Sequence, residues 1–254
     1  MSTPPWQVQR ERGSMRTDWL DARFSLDFAG YANPRWPRFG PLLALNEDRV
    51  APGGGFPMHA HRDLDILMLP YRGAIAHEDT LGHRFTVGPG EAVFMRAGRG
   101  IAHSQLNASA AVEDHHFQLW LEPPSPGLEP FTRRLAYQRP VAGGWTLIAS
   151  PDGRRDSFPL EQPVQVLLGR AGPGAGLQVE VPAGSNAWLH VMEGGAAAAL
   201  DPPERLAAGQ ALVLQAAARF SLAATGAGTS VLLVLVSASR VLRNLTSAVV
   251  RAGR

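Results

Sequence analysis

The chain has 254 residues, of which 45% are hydrophobic and 18% are charged, and this balance is typical of a folded globular protein. Cysteine and lysine are both absent, which excludes disulfides, thiolate chemistry, Schiff-base chemistry and a P-loop lysine. The formal net charge is only +2 and the arginines are scattered, so we expect no direct nucleic-acid partner. No apolar run has transmembrane length and the first residues lack a signal-peptide pattern, so we expect no membrane association and a cytoplasmic location.

Short strands separated by turns are predicted along the first half of the chain. The segments are apolar or alternating, and the 27 glycines and 21 prolines supply many turns. The predicted strands include Leu64–Leu69, Gly73–Glu78, Arg84–Val87, Ala92–Met95 and His115–Leu121.

The second half has the same kind of pattern. Predicted strands are Val164–Leu168, Leu177–Val181, Ala187–Met192 and Val231–Val236. Residues 239–254 have apolar side chains at helical spacing, which predicts a short C-terminal helix.

Two short glycine-containing motifs, called the glycine landmarks below, occur at nearly the same spacing in each half of the chain. Glu193–Gly195 is similar to Arg72–Gly73, and Ala208–Val213 is similar to Pro89–Phe94. We interpret this as an internal duplication of one β-barrel unit of the double-sheet jelly-roll kind, which predicts an all-β fold.

The first half contains two pairs of polar side chains that are each two residues apart. His59 and His61 form one pair, and His103 and Gln105 form the other. Side chains two apart on a strand point to the same face, and facing side chains on neighbouring strands begin about 5 Å apart at Cβ. If the two strands are neighbours, three imidazoles and an amide converge inside the barrel, which predicts a metal site.

These motifs lie within a longer resemblance to the pirin family, a bicupin family of the cupin superfamily. The order and spacing of the family's motifs hold across residues 19–121. The matching stretches are Trp19–Arg23, Phe39–Leu42, Asn46–Pro57, His59–Arg62, Ala97–Ser104 and Phe117–Trp120, with a weaker match at Ala149–Gly153.

The resemblance implies two cupin barrels packed as a bicupin. We assign residues 1–135 to an N-terminal barrel with the candidate metal site and residues 136–254 to a C-terminal barrel without one. His190 is the only histidine of the second half, so no metal is expected there.

Family members hold a mononuclear iron or a similar divalent metal with three histidines and one glutamate. Carried over here, the resemblance implies iron, with manganese, nickel, copper or zinc as alternatives, on His59, His61 and His103. The glutamate position falls on Gln105, which is therefore the fourth candidate ligand and the candidate catalytic position. An amide brings no negative charge to the metal, and it cannot act as a general base.

Two functions follow from the resemblance. Some bacterial relatives open the flavonol quercetin with dioxygen, which implies a metal-dependent dioxygenase for flavonol-type substrates. A eukaryotic relative acts as a transcription cofactor, which implies instead a non-catalytic regulatory or protein-binding module whose metal is weakened or absent because Gln105 replaces the glutamate. We expect a monomer with a small aromatic ligand in the first case and a protein partner in the second.

For the other polar residues of the first half we expect structural or surface roles. Asp65 stands where standard cupins place a carboxylate ligand, but we expect a buried partner of an arginine or of a ligand histidine. His77 and His83 flank a predicted hairpin turn and are expected to be exposed. His115 and His116 are adjacent, so they should face opposite sides of a strand in structural or surface roles.

Overall fold

The computed structural model describes residues 5–237, which form 22 strands and one short 3₁₀ helix at Arg154–Asp156. The predicted helix over residues 239–254 lies outside the described residues. No helix in residues 5–237 is long and apolar enough to cross a membrane.

The strands are numbered in chain order. The first twelve are β1 Trp6–Gln9, β2 Gly13–Arg16, β3 Leu20–Phe24, β4 Leu42–Val50, β5 Gly55–His61, β6 Asp65–Arg72, β7 Ile75–Asp79, β8 Arg84–Val87, β9 Glu91–Arg96, β10 Ile101–Asn107, β11 Asp114–Leu121 and β12 Phe131–Ala136. The others are β13 Gly144–Ser150, β14 Phe158–Pro159, β15 Val164–Ala171, β16 Leu177–Val181, β17 Ser185–Glu193, β18 Gly195–Ala198, β19 Glu204–Ala207, β20 Ala211–Leu214, β21 Ala218–Ala224 and β22 Thr229–Ser237.

One compact unit comprises Arg12–Tyr137. It has a seven-stranded sheet in the order β12-β9-β6-β11-β4-β3-β2 and a four-stranded sheet in the order β5-β10-β7-β8. Alternate apolar residues of the first sheet, such as Ile66, Met68 and Val93, share one core with Ile75 and Val87 of the second. Two sheets with a common apolar core make a double-sheet barrel.

Among the described residues, the other compact unit combines residues 5–11 with residues 138–237. It has a seven-stranded sheet, β1-β20-β17-β22-β15-β13-β14, and a four-stranded sheet, β16-β21-β18-β19. Strand β1 joins this unit because it pairs antiparallel with β20, with Trp6 opposite Leu214 and Gln9 opposite Ala211. The predicted N-terminal barrel over residues 1–135 includes this strand, so the unit boundaries differ from the expectation at the amino terminus.

The glycine landmarks occupy equivalent turns in the two units. Gly73 joins β6 to β7 with φ 68°, and Gly194 joins β17 to β18 with φ 80°. A Cβ atom at Gly73 would lie 2.4 Å from the Glu113 carbonyl oxygen, and one at Gly194 would lie 2.2 Å from the Gly228 carbonyl oxygen. Only glycine fits such a positive-φ position with backbone this close. The predicted all-β fold of two jelly-roll barrels is confirmed.

Candidate metal centre

The two strands that carry the predicted ligands are neighbours. Strand β10 pairs antiparallel with β5, so that His103 lies directly opposite His59 and Ile101 lies opposite His61. The register shifts between His103 and Gln105, which places Gln105 opposite Phe56. The pairing brings the three histidines to one end of the four-stranded sheet.

The three imidazole rings form one cluster. Their ligand nitrogens lie within 4.8 Å of one another. The ring centres are 4.5 Å apart for His59 and His103, 4.8 Å for His59 and His61, and 5.2 Å for His61 and His103. Three imidazoles in such a cluster are a donor set typical of zinc, iron, copper or nickel.

Hydrogen bonds leave ring nitrogens of this cluster available to a metal. His59 Nδ1 lies 2.8 Å from the Pro57 carbonyl oxygen, so Nδ1 carries the proton and Nε2 keeps its lone pair. His103 is buried, and within residues 5–237 its Nδ1 has no hydrogen-bond partner. A buried nitrogen without a partner is costly unless something else satisfies it.

Protonation is suppressed at two of the rings. Burial, together with the neighbouring His59, lowers the pKa of His61 to about 4. Burial and the nearby His59, His61 and His77 lower the pKa of His103 to about 3. Both rings are therefore neutral at pH 7, which is the form that binds metal. The residues present fit a divalent metal ion.

The expectation that His77 is exposed is wrong. His77 is 1% exposed and stacks on Phe85, with its ring centre 5.4 Å from that of His103. Its Nε2 lies 3.1 Å from Asp79 Oδ2. The reason is the alternation of β7, in which Ile75, His77 and Asp79 all point inward. His83, in contrast, keeps 42% of its side chain exposed.

Gln105 is buried behind the cluster and is held by hydrogen bonds at both ends of its amide. Its Nε2 lies 2.8 Å from His116 Nε2, and its Oε1 accepts a hydrogen bond of 3.1 Å from Gln118 Nε2. Gln118 Oε1 in turn accepts from the indole Nε1 of Trp120. Metal ligation by Gln105 stays a prediction.

His115 and His116 point to opposite sides of β11, as their adjacency predicts. His115 Nε2 lies 2.9 Å from Glu47 Oε1 on one side. On the other side, His116 Nδ1 lies 2.7 Å from Asp114 Oδ2, and its Nε2 lies 3.4 Å from Asp48 Oδ2. Burial by itself would lower the pKa of His116, but the hydrogen bonds and charges of the two carboxylates raise it to about 10.

Asp65 is a buried partner of an arginine, in agreement with the first of the two roles expected for it. Arg96 Nε and one of its terminal nitrogens each donate to the Asp65 carboxylate at 3.0 Å. Asp65 is 0% exposed. Such a two-point pair holds the first residue of β6 against the last residue of β9.

A cavity of about 190 Å³ opens beside the histidine cluster, with His59 and His61 in its wall. A dry protein cavity of about 150 Å³ is enough to hold benzene. The space therefore accommodates one aromatic ring with its substituents. The aromatic lining residues are Phe24, Phe28, Phe56 and Trp120, and the polar ones besides the two histidines are Asn46, Asp48, Gln105 and Gln118.

Sequence reasoning missed the polar wall that β4 and β11 contribute. In the register of these strands, Asn46 lies opposite Gln118 and Asp48 lies opposite His116. A signal was present only in β11, where Gln118 lies between Phe117 and Leu119; in β4 the run Asn46–Arg49 is polar throughout and does not indicate which side chains face the cavity. Asn46 is 2% exposed, and its Oδ1 has no hydrogen-bond partner within residues 5–237.

Comparisons with known proteins agree with this architecture. A model of the Pirin family matches residues 6–121, and a model described as the quercetinase C-terminal cupin domain matches residues 147–235. A quercetin 2,3-dioxygenase of Escherichia coli (strain K12) is 30% identical over 184 residues, which are 72% of this chain and 79% of that protein.

Solved structures show the same fold over most of the chain. The Escherichia coli protein YhhW superimposes with a TM-score of 0.83 at 26% identity, covering 91% of this chain and 97% of that one. A structure described as bacterial pirin YhhW in complex with nickel(II) gives a TM-score of 0.82 at 26% identity, covering 91% of this chain and 99% of that one. With both barrels matched by family models, the chain belongs to the pirin family.

Proposed function

We propose that the protein is a metal-dependent dioxygenase that acts on flavonol-type, quercetin-like substrates. His59, His61 and His103 would hold one divalent ion, for which iron is our first candidate and manganese, nickel, copper and zinc are alternatives. A relative that is 30% identical is named a quercetin 2,3-dioxygenase, and another structure in the family is described as a nickel(II) complex.

The observation that carries the proposal is the shared wall of the histidine cluster and the cavity. His59 and His61 line a space of about 190 Å³ together with Phe28 and Trp120. The rings of Phe28 and Trp120 are 4.9 Å apart in an edge-to-face arrangement. An aromatic substrate ring that enters this space is therefore placed directly against the proposed ligands.

Each part of the site has a definite task in this proposal. When bound, the metal would supply positive charge to the substrate oxygens and an electronic link between the substrate and dioxygen. The aromatic wall orients the ring and excludes water. Gln105 lies at the family's glutamate position, where its buried amide contributes hydrogen bonding but no negative charge.

The test is oxygen consumption by protein loaded anaerobically with iron. After addition of quercetin and air-saturated buffer, we expect oxygen uptake and loss of the quercetin absorbance, both absent in a His103→Ala variant. The metal content of both proteins is measured by elemental analysis before the assay. Full metal occupancy in the unmodified protein without oxygen uptake would contradict the proposed activity.

A second candidate function is a non-catalytic regulatory or protein-binding module. It is favoured by the amide of Gln105, which cannot accept a proton and is already bonded to His116 and Gln118. A Gln105→Glu variant separates the two functions. Oxygen uptake gained only on this substitution would show that the missing carboxylate keeps the unmodified protein inactive and would favour the module.

A further inference from the structure

The cavity wall contains a carboxylate that is not one of the proposed metal ligands. Asp48 lies on β4, is 4% exposed, and lines the same space as His59 and His61. It is the only carboxylate among the described residues that line this cavity. A ligand ring in the cavity therefore meets one acidic side chain, and that side chain is Asp48.

The Asp48 carboxylate is only partly engaged by the protein. Its Oδ2 lies 3.4 Å from His116 Nε2, which is at the long end for an ion pair. Within residues 5–237 the side chain has no other hydrogen bond or ion pair, so Oδ1 keeps both lone pairs for an incoming group. A carboxylate oxygen of this kind accepts a hydrogen bond or a proton from a ligand hydroxyl.

Glu47 and Asp65, two other buried carboxylates of this barrel, do not line the cavity. Glu47 is bound by Arg12 at 2.7 Å and by His115 at 2.9 Å, on the opposite side of β4 from Asp48. Asp65 is held by two nitrogens of Arg96. Asp48 is therefore better placed than either of them to meet a ligand in the cavity.

We propose that Asp48 is the general base of the site and takes the proton from a phenolic or enolic hydroxyl of the bound ligand. This inference rests on the proposed function. Asp48, on β4, would accept the proton that the amide of Gln105, on β10, cannot accept.

The proton transfer balances without any further reactant. The ligand O–H bond breaks, an O–H bond forms on Asp48 Oδ1, and the electron pair of the broken bond stays on the ligand oxygen. The carboxylate becomes a neutral acid and the ligand becomes an anion, and nothing is oxidised or reduced. Since the negative charge moves without changing in amount, the enclosed site does not have to accommodate an additional charge.

This chemistry restricts the class of ligand. Phenols and enols are acidic enough to give a proton to a carboxylate when the resulting oxyanion is stabilised, whereas aliphatic alcohols are not. The ring-sized cavity and its aromatic wall agree with a hydroxylated aromatic or enol ring. The predicted ligand carries such a hydroxyl on the ring that enters the cavity.

The experiment measures where the proton goes when quercetin binds to metal-loaded protein without oxygen. Calorimetric titrations are performed in two buffers with different ionisation enthalpies, at a pH where free quercetin is neutral, and the absorbance of the bound ligand is recorded in parallel. For the unmodified protein we expect the red-shifted spectrum of the quercetin anion and no proton released to the buffer. An anionic spectrum with about one proton released, or a neutral spectrum, would overturn the inference.

The Asp48→Asn variant keeps the shape of the side chain and removes its proton-accepting ability. We expect it either to bind quercetin in the neutral form or to release about one proton to the buffer. An anionic ligand with no proton released in this variant would identify a different acceptor. Asp21→Asn, which removes a carboxylate of β3 that does not line the cavity, is the control and should retain the proton as the unmodified protein does.

The measurement also separates this inference from the proposed function. Oxygen uptake by a protein that releases the proton to the buffer would preserve the dioxygenase and overturn the role of Asp48. Absence of quercetin binding to metal-loaded protein would overturn both. The result for the unmodified protein shows whether the protein retains the ligand proton, even if Asp48→Asn fails to fold.

Discussion

The amide nitrogen of Gln105 lies 2.8 Å from Nε2 of His116. The orientation of this amide follows from Trp120, because an indole nitrogen can only donate. Trp120 donates to Gln118 Oε1, Gln118 donates to Gln105 Oε1, and Gln105 Nε2 is then the atom that faces His116. His116 must therefore accept at Nε2, whereas its two carboxylate neighbours favour protonation. A second proton on His116 would require the Gln105 amide to turn.

Gln105→Glu should remove this conflict and strengthen metal binding. A carboxylate accepts from the protonated Nε2 of His116 and adds negative charge near the three imidazoles. We expect metal affinity to rise by about tenfold or more, measured by competition with a chromogenic chelator. Gln118→Glu adds the same charge one step further along the hydrogen-bonded chain and should have a smaller effect. Equal affinities for Gln105→Glu and the unmodified protein would show that position 105 does not act on the metal.

His103→Ala should abolish stoichiometric metal binding. Removal of one of three imidazoles leaves too few protein ligands for a mononuclear site, and we expect a loss of affinity of about 100-fold or more. Elemental analysis after dialysis against a defined metal buffer provides the measurement. His83→Ala, which removes a half-exposed histidine outside the cluster, is the control and should bind metal normally. Unchanged metal content in His103→Ala would place the metal elsewhere.

Stability should fall in acid partly because of Glu47. Burial alone would raise its pKa, but the hydrogen bonds and charges of His115 and Arg12 lower it from 4.5 to about 2. The folded state thus binds this proton more weakly than the unfolded chain does. The stabilisation, about 3 kcal/mol for a shift of this size, is complete above pH 4.5 and is lost as the pH falls towards 2.

Urea denaturation of the Glu47→Gln variant between pH 7 and pH 2 tests whether Glu47 makes this contribution to stability. The variant should be less stable than the unmodified protein at pH 7, and the difference should shrink between pH 4.5 and pH 2. His61 and His103 act in a higher window, because their pKa values are lowered and folding opposes their protonation as the pH falls below 6.5. Their contribution is common to both proteins and cancels in the difference. A difference that does not depend on pH would contradict the role of Glu47.

Asp65→Asn should be strongly destabilising. The substitution removes the carboxylate charge that faces Arg96, which is 7% exposed and donates two hydrogen bonds to Asp65. Breaking a buried ion pair by removing one partner costs about 3–5 kcal/mol. Asp21→Asn, at the pair with the largely exposed Arg16, is the control and should cost less than about 1 kcal/mol. Urea titrations of both variants at neutral pH give the comparison, and similar losses would contradict the argument.

A single-ring ligand should compete with quercetin. The cavity of about 190 Å³ holds one ring, so catechol is expected to displace quercetin from metal-loaded protein in calorimetric titrations. Phe28→Ala should weaken the binding of both catechol and quercetin, because Phe28 and Trp120 form the edge-to-face aromatic wall of the cavity. Trp36→Ala, which removes an aromatic residue outside the cavity lining, should leave binding unchanged. Quercetin binding that is insensitive to catechol and to Phe28→Ala would place the ligand elsewhere.

The histidine cluster was predictable from the sequence because strand geometry depends on local spacing. His59 and His61 share a face by alternation, and the family motifs place His103 on a neighbouring strand. The partner of Gln105 was not predictable in the same way. His116 lies on β11, in the other sheet of the barrel, and their contact depends on how two sheets pack.

Two expectations that differ from the structure, the exposure of His77 and the placement of β1, have different physical reasons. His77 is expected to be exposed because it stands next to a predicted turn, although the alternation of Ile75, His77 and Asp79 indicates an inward-facing set. The position of β1 had no local signal, since Trp6–Gln9 pairs with a strand some two hundred residues away in the chain. Pairing at such a separation is decided by complementary edges that a single sequence does not identify.

The location of β1 means that the carboxy-terminal barrel is built from two separate stretches of the chain, whereas the other barrel is the single stretch Arg12–Tyr137. A fragment that starts at residue 138 would lack the strand that covers β20, whose residues Ala211–Leu214 are all buried. The exposed apolar edge would then be free to recruit strands from other molecules. Dissection of this protein into halves should therefore keep residues 5–11 attached to the carboxy-terminal portion, for example through a circularly permuted chain.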